Sequence, residues 1–122
     1  MVNQIRDKQA VSDQLLIIEK HERVIKYLYP IVQRTPRQHA VVRDQILSCL
    51  FSFANQVMQA GKSGHVSKLY AADASLSMIR FYIRFYREGI NRLTEKQERH
   101  ALALIAEVGS LLGAWIKSKK GN

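Results

Sequence analysis

The stretch "ASLSMIRFYIRFYRE", Ala74 to Glu88, decides the fold. It contains no Gly or Pro and is mostly apolar, which favours a helix. Yet Arg80, Arg84 and Arg87 interrupt it. A helical wheel sorts the extended segment into three faces. With Arg80 at zero, Ala72, Leu76, Ile79, Ile83, Tyr86 and Ile90 fall between roughly 240° and 320°. Tyr70, Ala74, Met78, Phe81 and Phe85 fall between roughly 80° and 160°. The arginines lie between the two stripes, from about −20° to 40°, with Asp73 and Ser77 on the same face. One apolar stripe suffices for a bundle core. A second stripe implies burial on nearly all sides or contact with another subunit. Unpaired guanidinium is too costly to bury, so burial all round is excluded. We therefore expect a symmetric homo-oligomer in which one stripe fills the core and Met78, Phe81 and Phe85 join subunits.

Working outward, the same periodicity predicts an all-α, up-down-up-down four-helix bundle. The 122 residues suit a single domain, with helices at about 13–32, 36–60, 66–89 and 95–118. Ser12 or Asp13 is the expected cap of the first helix, and Leu15, Ile18, Ile25, Leu28 and Val32 are its expected apolar stripe. Pro30 should kink or end it early. Thr35 and Pro36 fit the N-cap and first position of the second helix, which carries Val42, Ile46, Cys49, Leu50, Phe53 and Val57. Gly61 is its expected left-handed stop. Thr94, with Glu98 four residues on, should cap the fourth. That helix offers Leu102, Ile105, Gly109, Leu112 and Ile116 as one stripe, with Leu104, Val108, Leu111 and Trp115 beside it. Gly109 and Gly113 each cost about 1 kcal/mol relative to Ala, so close approach of another helix is the expected compensation. The final "KSKKGN" reads as a frayed cationic tail. No alternating run bounded by turn residues predicts a strand.

Nineteen Lys and Arg against ten Asp and Glu leave a formal charge of +9. Folding does not need that charge, and it points to an anionic partner. Arginine is the better phosphate reader, because its planar fork bonds two oxygens and stacks on bases. Tyr82 and Tyr86 offer stacking surfaces nearby. Arg80, Arg84 and Arg87 are thus the candidate nucleic-acid or partner contacts, with Lys62 and Lys68 beside them. The competing reading pairs these arginines with Glu19, Glu22, Glu88 or Glu107 in a solvated face.

No catalytic constellation emerges, and a nonenzymatic protein is expected. No serine sits in a nucleophile elbow. His21 lacks a second histidine four residues away, and His39, His65 and His100 fall at helix ends or breaks, so neither metal nor cofactor is expected. "AGKSGH" lacks the phosphate-loop spacing and follows a helix. The lone Cys49 permits no intrachain disulfide, which suits a reducing cytoplasm. It reads as a small packed hydrophobe. No apolar run has signal-peptide or membrane-spanning length, so no membrane role is expected.

Three blocks carry a resemblance: "ERVIKYLYPIVQRTPRQH" (22–39), "AGKSGHVSKLYAADASLSMIRFYIRF" (60–85) and "LIAEVGSLLGAWI" (104–116). Together, from about Gln14 to Ile116, they resemble the accessory variability determinant (Avd) of diversity-generating retroelements. "VSKLYAADA" is the most specific part, since helical periodicity does not dictate it. A broader likeness is to four-helix proteins encoded within intervening sequences of bacterial large-ribosomal-RNA genes. The competing function, of a different class, is a structural protein-interaction module whose arginines bind acidic protein surfaces, without RNA binding. The resemblance to Avd implies a strongly basic pentameric barrel, a homopentamer. It implies binding to the element's reverse transcriptase and structured template RNA; DNA, bound non-specifically, is a further candidate partner. It implies support of error-prone cDNA synthesis in mutagenic retrohoming. Arg80 and Arg84 match the arginine pair the family carries in this block.

Overall fold

The computed structural model describes residues 2–120, with side chains from Ser12 onward. Four helices follow in order: α1 (Val2–Gln33), α2 (Ala40–Ser63), α3 (Val66–Glu88) and α4 (Glu95–Lys120), with a single 3₁₀ turn, Arg37–His39, before α2. Short connections make consecutive helices antiparallel neighbours. α4 closes the ring by packing on α1, while the backbones of the diagonal pairs stay farther apart across the shared core. Among the described residues there is no strand.

The core is written in alternating steps of three and four. α2 buries Ile46, Leu50, Phe53, Val57 and Ala60. α3 buries Leu69, Ala72, Leu76, Ile79, Ile83 and Tyr86. α4 buries Ala101, Ile105, Val108, Leu112 and Trp115. This is the heptad spacing that keeps one seam facing its neighbours. Each buried Leu or Ile contributes about 1.5–3 kcal/mol, so these seams, rather than helix propensity, hold the bundle.

The expected α3 core stripe is the observed one, with Ile90 partly buried at its end. Elsewhere the register differs. α1 buries Ile17, His21, Val24, Leu28 and Val32, while Leu15 is 60% exposed and Ile18 and Ile25 only flank the core. The segment 15–32 is apolar on several sides, and a histidine occupies a core position. His21 is fully buried, its Nε2 hydrogen-bonded to the Leu50 carbonyl at 2.7 Å and its ring against Phe53. In α4, Leu102 and Ile116 flank the core instead of filling it.

The helix ends also correct several expectations. α1 runs through Ser12 and Asp13, so neither is its N-cap. It also continues through Pro30 for nearly one more turn. The Thr35 hydroxyl donates back to the Val32 carbonyl and so finishes α1; it does not cap α2, which begins at Ala40. Gly61 is helical, and Gly64 is the left-handed stop with φ 71°. The space beside Gly61 is where the Gln14 amide packs. Thr94 does cap α4, in a reciprocal box with Gln97: Gln97 N–H donates to Thr94 Oγ1, and Thr94 N–H donates to Gln97 Oε1, each at 3.0 Å.

By length and composition alone α4 could cross a membrane, since its mean hydropathy reaches 1.4 over 18 residues. Its seam nevertheless packs on α1 and α3 as the fourth wall of the bundle.

Candidate nucleic-acid and partner interface

α3 presents three environments around its axis. Its core stripe faces inward. On the side toward α4 lie Arg80 and Arg87. The outer side carries Arg84 and the second apolar stripe.

Arg80 is half-buried. Its guanidinium lies over Gly109 of α4, where Nη2 would be 2.6 Å from any Cβ. Leu76 Cδ2 would be 3.4 Å away. Gly109 therefore admits an arginine side chain, not the backbone of another helix, which corrects the expected reason for the glycine. Gly113 is exposed, with nothing within 4 Å of a Cβ there, so it packs against nothing within the subunit. Among the described residues no carboxylate forms an ion pair with Arg80 or with the exposed Arg84.

Arg87 differs. Its Nε donates to Glu98 Oε1 at 2.7 Å, and its Nη2 reaches Glu88 Oε1 at 3.2 Å. The hydrogen bond to Glu98 holds the guanidinium even more firmly protonated than usual. Arg87 thus ties the end of α3 to the start of α4, and the other two arginines form no ion pair among the described residues.

The outer stripe is not used within the subunit. Met78, Phe81 and Phe85 are 43%, 55% and 41% exposed. Phe81 and Phe85 lie nearly parallel, with centroids 6.5 Å apart. Tyr82 is half-buried and donates to Gln45 Oε1 at 3.5 Å, and Tyr86 is in the core, so neither offers an open face for stacking bases. A second apolar surface went unread in the sequence. Tyr29 and Phe51 meet edge-on across α1 and α2, and Leu15 and Met58 are also exposed on these helices. Alternating spacing from the α2 core would have found Phe51 and Met58 on the opposite face.

Lys62 and Lys68 flank the α2–α3 turn, both exposed. The structure adds to them the end of α4, which is helical through Lys120 instead of frayed; Gly121 and Asn122 lie outside the described residues. Lys119 Nζ would lie 3.9 Å from a Cβ at Gly64, and Lys120 Nζ sits 5.3 Å from the Tyr70 ring centroid. One end of the bundle is therefore a lysine cluster drawn from three helices. The up-down topology was the signal that could have joined them.

Among the described residues no group of three His, Cys, Asp or Glu could hold a metal. Cys49 packs against the core, and burial pushes its thiol pKa up, away from the reactive thiolate.

A family model described as bAvd-like matches residues 15–119. A search of curated proteins finds no match. The chain belongs to the bAvd-like family, an accessory and non-catalytic kind of protein.

Proposed function

We propose that this member of the bAvd-like family is the accessory protein of a diversity-generating retroelement. It binds the element's reverse transcriptase and its structured template RNA, and supports mutagenic cDNA synthesis and retrohoming. The observation that carries this reading is the pair Arg80 and Arg84. Among the described residues neither forms an ion pair, and they stand between a buried stripe and an exposed apolar one. Guanidinium held against a glycine is pre-oriented, so less freedom is lost when it meets phosphate or carboxylate.

The assembly follows from the same helix. Met78, Phe81 and Phe85 join one subunit to the next, and cyclic symmetry, as a homopentamer, repeats the arginine pair around the barrel. The lysine cluster at Lys62, Lys68, Lys119 and Lys120 adds a second set of phosphate contacts. Arg87 serves the subunit's own fold. The scaffold holds RNA by its phosphates and the polymerase beside it, with no base readout of its own.

The test mixes the purified chain, the reverse transcriptase of the same element and its template RNA, pairwise and together. Size exclusion with light scattering reads the products. A complex with the polymerase that RNA strengthens, and that weakens steeply with salt, supports the scaffold. No association in any combination, from a folded oligomeric chain, overturns it.

A further inference from the structure

The bundle end opposite the lysine cluster contains a small polar cavity of about 200 Å³. It is lined by Ile31, Arg34, Thr35, Tyr86, Arg92 and Gln97. Four separate segments supply these residues: the end of α1, α3, the α3–α4 connection and the first turn of α4. Tyr86 is 1% exposed, and its hydroxyl has no hydrogen-bond partner among the described residues. A buried hydroxyl without a partner is a costly arrangement, and a bound ligand is one established reason for keeping it.

The other donors are also uncommitted. Neither Arg34 nor Arg92 forms an ion pair among the described residues. Gln97 has its Oε1 committed to the Thr94 N–H, which leaves the Nε2 amide to donate. The Thr35 hydroxyl donates to Val32 and completes the wall. No acid lines the cavity. Burial raises the Tyr86 pKa while Arg92 and Arg43 pull it down, so the phenol remains a protonated donor at neutral pH.

We infer that this cavity is a binding site for a single phosphate group, held by Arg34, Arg92, the Tyr86 hydroxyl and the Gln97 amide. Donors converging from four chain segments suit a tetrahedral oxyanion better than a planar carboxylate. The volume is below the roughly 300–1,000 Å³ of a drug-sized pocket, so the site takes the phosphate and not a whole nucleotide. The phosphate can be free, or it can terminate an RNA strand. The site is separate from Arg80 and Arg84 and does not depend on their assignment.

The test titrates inorganic phosphate into the full chain by calorimetry and thermal shift, with acetate and chloride as controls at matched ionic strength. Wild type should bind one phosphate per chain, with no comparable effect of acetate. Tyr86→Phe should weaken binding about tenfold or more, while the phosphate-free protein melts at the same temperature or higher, because an unpaired buried hydroxyl has gone. Arg34→Gln with Arg92→Gln should abolish binding. Arg80→Ala with Arg84→Ala should leave it unchanged, so failure of this site and failure of the arginine face are distinguishable. Competition by matched RNA oligomers identifies the source: a 5′-phosphorylated strand outcompeting its 5′-hydroxyl twin assigns the site to an RNA end, and equal competition assigns it to free phosphate. The proposal is overturned by no saturable binding, by acetate acting equally, or by full-strength binding in Tyr86→Phe and the Arg34/Arg92 variant.

Discussion

Arg80 and Arg87 stand seven residues apart on one side of α3, and both face α4. Opposite Arg87, α4 places Glu98, and the two form an ion pair at 2.7 Å. Opposite Arg80 it places Gly109, and the guanidinium rests there without an ion pair among the described residues. The helix that carries the arginines does not decide their roles. What α4 sets across from each one does. A cation with a carboxylate is a structural tie, whereas a cation seated on a glycine has no such tie, and the proposed function assigns its charge to a partner outside the subunit.

The sharpest way to break this contrast is to remove the unpaired pair. Arg80→Ala with Arg84→Ala should abolish association with template RNA or the polymerase while far-UV circular dichroism is unchanged. Binding at wild-type strength would mean that the lysine-rich end carries the whole interaction. The next largest effect concerns the outer stripe. Phe81→Asp should leave folded monomers where the wild-type chain forms the proposed oligomer, since Phe81 is 55% exposed and supports little within its own bundle. A mutant of unchanged mass by light scattering would remove the stripe from the interface.

Much of this was legible in the sequence, for reasons specific to α3. Its two stripes are separated cleanly, so the inner one, Ala72 to Tyr86, could be read without knowing the neighbours. α1 was not legible in the same way. Its apolar residues surround the helix, and the buried position at His21 is occupied by a residue that hydropathy scores as polar. Arg80 and Arg87 could not be told apart either, because periodicity places them on one face and Glu98 and Gly109 meet them only through tertiary packing. The α4 lysines looked like a tail because composition alone cannot show that Lys119 returns to Gly64. Likewise Thr35 before Pro36 has the chemistry of an N-cap, yet its hydroxyl turns back to α1.

The seat of Arg80 can be tested directly. Gly109→Leu fills the space of the guanidinium and should destabilise the bundle by about 1–3 kcal/mol, as overpacking typically does. The same variant should weaken RNA or polymerase binding by displacing Arg80. A denaturation midpoint at or above wild type would remove the packing role. Gly113→Ala is the matched control, since that position is open, and it should cause no loss.

His21 gives a smaller effect that depends on pH. Desolvation lowers its pKa below the ordinary 6.5, partly opposed by the bond to Leu50. The folded state therefore holds a neutral ring, and below pH 6.5 the unfolded chain binds the extra proton. Stability is full above that pH and falls as pH drops toward the folded pKa, by up to about 1.4 kcal/mol per pH unit. Urea midpoints at pH 7.5 and 5.5 measure the fall, and His21→Leu should reduce it. An equal acid dependence in the variant would assign it to other groups.

The smallest effect returns to the starting contrast. Arg87→Ala removes the tie between α3 and α4 and leaves Glu98 without its partner, so the denaturation midpoint should drop slightly. High salt should narrow the gap to wild type, because screening weakens the pair in the parent. RNA and polymerase binding should stay at wild-type strength, since Arg87 is already committed within the subunit. If Arg87→Ala instead lost binding as completely as the Arg80/Arg84 variant, the ion pair with Glu98 would have to open in the complex. The distinction between a paired and an unpaired arginine on this face would then not divide structure from function.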